Sequence, residues 1–223
     1  MYINIHTHQA HEGDFEIINL FPEEVGMIVA ERYYSVGIHP WDVATADIEI
    51  QMKITDAFAT HPNVLAVGEI GLDKMKPEFE LQKEVFEAQF EIAERLGKPI
   101  IVHCVKAYSE LQEILNRKQT QIPVIVHRFS GNKTIAEQLI RFGCYLSFGH
   151  ELFNVRTKTP GIYKAIPLDR IFHESDDAKI GIREIYAEGA RIRGIREEEL
   201  QAGILINYGR CFGNNGQLTI DNG

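Results

Sequence analysis

Six side chains of types that bind metal ions stand at the ends of five β-prone segments, and this ordered set restricts the possible folds more than any single motif. The six are His6, His8, Glu69, His103, His127 and Asp176. The segments that precede them are short and apolar, as is typical of buried strands. Polar side chains at the C-terminal ends of successive parallel strands meet on one face of an enzyme barrel. The order therefore predicts a barrel whose strands deliver these side chains to one site.

Eight strands are predicted in all, because three further segments, residues 15–20, 33–38 and 145–148, have the composition of strands. Eight parallel strands and their helices form the TIM-type (β/α)8 barrel, an α/β fold. Amphipathic periodicity predicts helices over residues 78–96, 109–118, 134–142, 183–193 and 197–207. Only a handful of residues separate the first two strands. The early βα units are therefore predicted to be shortened, with their helices missing or reduced to a turn.

Length and composition fit one barrel domain over residues 1–213, followed by a short, turn-rich tail over residues 214–223. No apolar run approaches the roughly 18 residues that a membrane span needs. The N-terminus enters the first strand without the charged and apolar regions of a secretory signal, and the three cysteines lack CxxC spacing. We therefore expect a cytoplasmic protein without membrane contact, present as a monomer or weak oligomer.

The formal net charge of -9 argues against a broad basic surface that holds duplex nucleic acid by its phosphates. It does not exclude a nuclease. A pair of metal ions concentrates positive charge inside a pocket, where it can bind one phosphate whatever the charge of the outer surface.

The spacing of the candidate ligands gives each a role and an alternative. His6 and His8 lie two positions apart, so in a strand both project to one side and can share an ion, although an isolated pair of this kind is more often two ordinary polar residues. Glu69 lies between glycines and can bridge two ions; alone, it would be a structural acid. His103 and His127 each follow four residues opened by a proline, which predicts equivalent depths in neighbouring strands.

Asp176 ends the last predicted strand, where a carboxylate can bind a metal and accept a proton from water. Glu174 is equally compatible with a role in the site and with a solvated loop. His39 is a candidate substrate contact or a packing residue beside Trp41. The remaining histidines are assigned to surface or packing roles; they are His11, His61, His150 and His173.

These segments resemble the TatD family of metal-dependent deoxyribonucleases, in the amidohydrolase superfamily, over most of the chain. The matching motifs are His6-Thr7-His8, Gly37-Ile38-His39-Pro40, Gly68-Glu69-Ile70-Gly71-Leu72-Asp73, Ile101-Val102-His103, His127-Arg128-Phe129-Ser130-Gly131 and Glu174-Ser175-Asp176, with Gln82, Phe86 and Gln89 on one helix and Asn207, Arg210 and Phe212 near the end. The chain departs from the family pattern after Asp176, where Asp177-Ala178-Lys179 replaces a small residue and proline, and after His103-Cys104, where Val105 and Lys106 stand in place of an arginine.

The resemblance implies a barrel phosphodiesterase that acts on DNA with two divalent ions. It assigns one ion to His6, His8 and Asp176, another to His103 and His127, and Glu69 to both. Magnesium, manganese and zinc are the candidate metals. Asp176 and Glu69 are the predicted catalytic residues, with Asp176 as general base.

The expected substrate is DNA with accessible single-stranded ends, contacted outside the metals by His39, Lys106 and Arg128, with Lys179 a weaker candidate. The acidic charge and altered loop also fit an amidohydrolase that cleaves a small amide, lactone or ester at the same binuclear site. A third reading is a metal-bearing scaffold without enzymatic activity.

Overall fold

A computed structural model describes residues 1–11 and 13–213, so the predicted tail, residues 214–223, lies outside the described residues. Eight parallel strands follow one another in chain order, each paired with its neighbours in the sequence. The strands are β1 (Ile3–Thr7), β2 (Phe15–Leu20), β3 (Tyr33–Val36), β4 (Val64–Asp73), β5 (Ile100–Val105), β6 (Val124–Val126), β7 (Tyr145–Phe148) and β8 (Ile171–His173). This arrangement confirms the predicted (β/α)8 barrel.

Seven α-helices cover the strands in the described part of the chain. They are α1 (Ile48–Ala59), α2 (Phe79–Leu96), α3 (Tyr108–Lys118), α4 (Lys133–Arg141), α5 (Thr159–Ala165), α6 (Ile182–Arg193) and α7 (Glu197–Phe212). Short 3₁₀ segments span Pro22–Met27, His150–Phe153 and Leu168–Arg170. Among the residues described, none of the helices is both long and apolar enough to cross a membrane.

The first two βα units are shortened, as predicted, but the third is not. Within the described residues no helix joins β1 to β2, and a 3₁₀ segment alone joins β2 to β3. The third unit carries the full helix α1, which the sequence analysis did not predict. Its apolar residues include β-branched Ile50 and Ile54, which lower helix propensity, and only Thr55 and Ala59 are buried along it. Capping by the Asp47 side chain, which accepts a hydrogen bond from the backbone N–H of Ile50, and packing on α2 outweigh that low propensity.

Alternation along the strands places the candidate ligands inside the barrel. Ile100 and Val102 belong to the core that packs with helices α2 and α3, whereas Ile101 belongs to a second cluster with Leu65 and Ile125 from other strands. Successive residues of a strand point to opposite faces, so Ile101 faces the barrel interior and His103, two residues later, does the same. The apolar layer that contains Ile101 therefore forms the floor beneath the site.

Backbone hydrogen bonds close the seam between β8 and β1 at the C-terminal end of the strands. There the backbone N–H of Asp176 donates to the carbonyl of His6 at 3.1 Å, and the N–H of His8 donates to the carbonyl of Asp176 at 3.2 Å. This exchange joins the chain after the eighth strand to the end of the first. The three side chains concerned are thereby brought to one position on the barrel rim.

Side chains close the rest of the seam. The carboxamide oxygen of Asn4 accepts a hydrogen bond from the backbone N–H of Ser175 at 3.0 Å. Below it, the hydroxyl of Tyr186 on α6 accepts from the backbone N–H of Ile3 and donates to its carbonyl, both at 3.1 Å. Tyr186 thus satisfies backbone groups of β1 that a neighbouring strand would otherwise bind.

Strand β4 approaches β5 so closely that a side chain is excluded at Gly71. A Cβ atom at this position would lie 1.9 Å from the carbonyl oxygen of His103, and φ is +153°. Both observations require glycine here. The position matters for the site because His103 belongs to the strand that would be displaced.

We expect Gly71→Ala to lower the free energy of unfolding by about 3 kcal/mol or more, since the clash is with backbone that cannot yield without moving β5. Gly97→Ala is the matched control, because Gly97 also has positive φ (+64°) but a Cβ would meet nothing within 4 Å. That control should cost about 1 kcal/mol. Urea denaturation of both variants measures the difference, and equal losses would contradict the close-approach explanation.

Candidate metal centre

The structure brings all six predicted ligands together at the C-terminal ends of the strands. They surround the inner part of a half-open cavity of about 490 Å³ whose lining includes His8, Glu69, His103, His127 and Asp176. His6 lies beside these residues and is completely buried. The convergence follows from the parallel order of the strands, since each carries its polar side chain at the same end.

One oxygen of the Glu69 carboxylate faces three imidazoles. Glu69 Oε1 lies 2.7 Å from His103 Nδ1, 2.8 Å from His127 Nε2 and 3.0 Å from His39 Nε2. All four side chains are almost entirely buried. His39, predicted as a substrate contact, therefore lies within the ligand cluster itself. Together with Glu69 and His103, it offers three ligand atoms close enough to share one ion.

The other oxygen of Glu69 faces the histidines of β1. Glu69 Oε2 lies 3.3 Å from His6 Nε2 and 3.6 Å from His8 Nε2. Asp176 Oδ1 approaches the same two nitrogens at 3.6 Å and 3.5 Å. The carboxylate of Glu69 thus stands between two sets of imidazoles, and Asp176 completes the set on the β1 side.

The protonation of these groups reflects their mutual contacts. Burial raises the pKa of Glu69, but the charge of His127 and the hydrogen bonds from His103, His127 and His39 outweigh it and hold the pKa well below its usual range. Burial lowers the pKa of His6, yet the neighbouring carboxylates of Asp176 and Glu69 raise it to about 9. The pKa of His127 is likewise raised against the effect of burial, chiefly by Glu69 and Glu174. The carboxylates therefore create a strongly cation-attracting pocket.

The donor set fits divalent cations. His6 Nε2 is buried and has no hydrogen-bond partner, although it faces two carboxylates. His6, His8 and Asp176 offer three ligand atoms within 4.8 Å of one another, and so do His6, Glu69 and His127. Mixed imidazole and carboxylate ligation suits zinc, manganese and related metals. The geometry of the described residues is therefore that of a candidate metal centre.

The predicted cationic contacts differ in position. Arg128 lies at the mouth of the cavity, about half exposed, and its Nη1 contacts Asp176 Oδ2 at 3.0 Å. Lys106 is exposed, and it is not among the residues that line the cavity; only its neighbour Val105 is. Lys179 is also exposed and outside the lining. Of the three, Arg128 is the one placed to meet a substrate in this cavity.

Several residues at the site were not assigned from the sequence. Glu174 is completely buried and its Oε1 lies 3.3 Å from His127 Nδ1. Glu151 and His150 line the cavity mouth, where burial, with a further contribution from Glu174, raises the pKa of Glu151 to about 7. His150 therefore belongs to the mouth rather than to a surface or packing position elsewhere. The sequence did contain a signal for this position. His150 lies two residues after β7, the end of which is expected to reach the same face of the barrel, and no ligand had been predicted there.

Asp73 is a further unassigned residue, although its motif had been recognised. Its Oδ2 accepts a hydrogen bond from Trp41 Nε1 at 2.7 Å and lies 3.5 Å from His103 Nε2. Asp73 therefore links a ligand-bearing strand to the aromatic residue at the mouth. The sequence signal was the position of Asp73, two residues after Gly71, at the end of the buried strand that also carries Glu69.

We expect Glu174→Gln to weaken metal binding about tenfold or more, because carboxylates that face the second nitrogen of a ligating imidazole fix its orientation and raise its basicity. Calorimetric titration of the metal-free protein with zinc or manganese measures the affinity. Asp177→Asn is the matched control, since it also removes one negative charge, but from an exposed side chain at the cavity mouth instead of from a buried one. Equal losses in the two variants would show a general charge effect instead.

Comparison with known proteins agrees with this geometry. The sequence profile described as TatD related DNase matches residues 24–213. The crystal structure of YjjV, a TatD homologue from Escherichia coli K12, has a TM-score of 0.84 with 22% identity and covers 95% of this chain and 97% of that chain. At this level of identity the likeness establishes the fold.

Two relatives add sequence similarity. YabD of Bacillus subtilis (strain 168), named an uncharacterized metal-dependent hydrolase, is 34% identical over 148 residues, which are 65% of this chain and 58% of the relative. TatD of Edwardsiella piscicida, named a 3'-5' ssDNA/RNA exonuclease, is 28% identical over 163 residues, covering 68% of this chain and 60% of the relative. The chain thus spans less than two thirds of the length of either. Because the profile covers most of the sequence, the chain belongs to the TatD related DNase family.

Proposed function

We propose that this protein is a divalent-metal-dependent nuclease that hydrolyses phosphodiester bonds of DNA, with a preference for single-stranded ends. The observation that carries the proposal is the Glu69 carboxylate, which lies between the histidines at the end of β1 and two others, His103 of β5 and His127 directly after β6. A carboxylate with this double set of neighbours suits two ions held a few ångströms apart, as in two-metal phosphodiesterases.

In this proposal His6, His8, Glu69 and Asp176 would hold one ion, and Glu69, His103 and His127 the other. Magnesium, manganese and zinc remain the candidates. When bound, such ions neutralise charge on the phosphate and lower the pKa of water. Each histidine must be deprotonated at its ligating nitrogen, so metal binding would displace the protons that the carboxylates hold on His6 and His127.

The remaining chemistry is assigned to the chain's own side chains. Asp176 directs Oδ1 towards His6 and His8 and Oδ2 towards Arg128. Asp176 Oδ2 would accept the proton of the attacking water, while Arg128 would turn from this carboxylate to a phosphate oxygen. The guanidinium is suited to that exchange because it is half exposed and phosphate offers it the same paired acceptors as a carboxylate. Buried His39 would help to orient the substrate or complete the ligand set.

A small-molecule amidohydrolase is the second candidate. The cavity mouth carries acidic side chains, among them Asp42, Glu151 and Asp177, which do not favour a polyanion. A small amide, lactone or ester would fit within about 490 Å³, and an uncharged molecule would not be repelled by these carboxylates. Under this alternative the metal centre is unchanged and the substrate differs.

We expect Asp176→Asn to reduce turnover at least about 100-fold, since the amide keeps the shape of the carboxylate but cannot accept a proton. The melting temperature should change little. Turnover is measured on protein whose metal content has been confirmed equal to that of the wild type. Near-normal turnover in the metal-loaded variant would rule out Asp176 as the general base.

The substrate assignment is tested by comparing three labelled substrates: single-stranded DNA, blunt duplex DNA and a generic phosphodiester. We expect metal-dependent release of nucleotides from single-stranded ends, slower attack on the duplex, and loss of both on chelation. Turnover of the generic ester alone would favour the small-molecule hydrolase. Faster cleavage inside the duplex would contradict the preference for ends.

A further inference from the structure

Trp41, the one tryptophan of the sequence, stands at the mouth of the metal centre with 52% of its surface exposed. Its ring centroid lies 5.1 Å from that of His39 and 5.9 Å from that of His103. This position places the indole next to any group bound at the Glu69 cluster.

The orientation of the indole is fixed by its polar contacts. Trp41 Nε1 donates to Asp73 Oδ2 at 2.7 Å, and the backbone N–H of Trp41 donates to His39 Nδ1 at 3.2 Å. The Lys76 ammonium lies over one face of the ring, 4.0 Å from its centroid, so a flat ligand would stack on the opposite face. An exposed ring that is already held in one orientation loses little further freedom when a flat ligand stacks on it.

A second aromatic residue lies near the same group of imidazoles. Phe21 is half-buried and lines the cavity, with its ring 6.1 Å from that of His8 and nearly parallel to it. Its ring centroid is 6.5 Å from that of His39, which also neighbours Trp41. Aromatic side chains therefore border the metal centre on both sides of His39, whereas Arg128 is the cation in the cavity lining.

We propose that Trp41 is the platform on which a nucleobase of a single-stranded substrate stacks while the adjoining phosphate lies at the Glu69 cluster. This inference rests on the proposed nuclease function and specifies how the substrate is recognised. Proteins that bind single strands without sequence preference combine phosphate contacts with aromatic stacking, because every base presents a flat face.

Stacking also resolves the conflict between a nucleic-acid substrate and a net charge of -9. The protein would draw affinity from an unpaired base and from one phosphate at the centre, and neither requires a basic surface. A base within a duplex is already stacked and cannot reach Trp41 without leaving the helix. The platform therefore gives a physical reason for a preference for unpaired ends.

The sequence offers a direct reporter, because all tryptophan emission of this protein comes from Trp41. The metal-loaded protein is titrated with a phosphorothioate-linked thymidine tetranucleotide, which resists hydrolysis, and with the same backbone carrying abasic sites. We expect quenching of the emission by the thymidine chain and about tenfold weaker binding of the abasic chain. Equal affinity for both chains, or binding without any change in emission, would overturn the proposal.

Two substitutions separate the ring face from the Nε1 hydrogen bond. Trp41→Phe keeps an aromatic face and loses the bond to Asp73, whereas Trp41→Leu loses both. Affinity for a fluorescein-labelled oligothymidylate, measured by anisotropy, should fall about tenfold in Trp41→Leu and much less in Trp41→Phe. The affinity of both variants for the abasic chain should remain near that of the wild type.

Equal losses in the two variants would show that Trp41 acts through Asp73, and the platform would be rejected. Hydrolysis assays keep this result separate from the proposed function. Base-dependent quenching without cleavage of DNA would support the platform while contradicting the nuclease. Cleavage of DNA at wild-type KM by Trp41→Leu would support the nuclease while contradicting the platform.

Discussion

The buried carboxylate of Glu69 needs imidazoles around it, and the barrel supplies them from several strands. A charged group removed from water is unstable unless it is paired, and here the pairing comes from histidines of separate strands. One strand could not satisfy both oxygens, because Oε2 faces the histidines at the end of β1 whereas Oε1 faces His103 and His127. The same mutual dependence gives the pocket its attraction for cations, since protons and metal ions compete for the same nitrogen and oxygen atoms.

Much of this arrangement could be predicted from the sequence, because strand-end position determines which side chains meet. The repeated construction before His103 and His127 gave equivalent depths without knowledge of the fold. Contacts that depend on how loops turn could not be predicted in the same way. The contacts of His39 with Glu69 and of Trp41 with Asp73 depend on the conformation of the loop that follows β3. Helix α1 escaped prediction because a cap and its packing, rather than its residue propensities, stabilise it.

Acidic side chains surround the entrance of the cavity, whereas positive charge at its centre would come from bound metal ions. The rim carries Asp42, Glu151 and Asp177, while Arg128 stands between the rim and the buried centre. Glu151, with a pKa raised to about 7 mainly by burial, carries only part of its charge near neutral pH. Under the proposed nuclease function, this rim would repel a long, stiff polyanion, whereas a single exposed end would reach the metal ions.

The closure of the barrel seam bears on how the protein is made. Asn4 and Ser175 are 171 positions apart, and Ile3 and Tyr186 are 183 apart, yet these pairs hold β1 to the end of the sheet. A chain emerges from the ribosome with its N-terminal part first, so one edge of β1 has no partner until α6 has been synthesised. His6 and His8 likewise have no carboxylate partner from the C-terminal half until Asp176 has been synthesised. The candidate metal centre is therefore completed only after the eighth strand has been synthesised, and a shorter nascent chain has no complete site with which to bind metal.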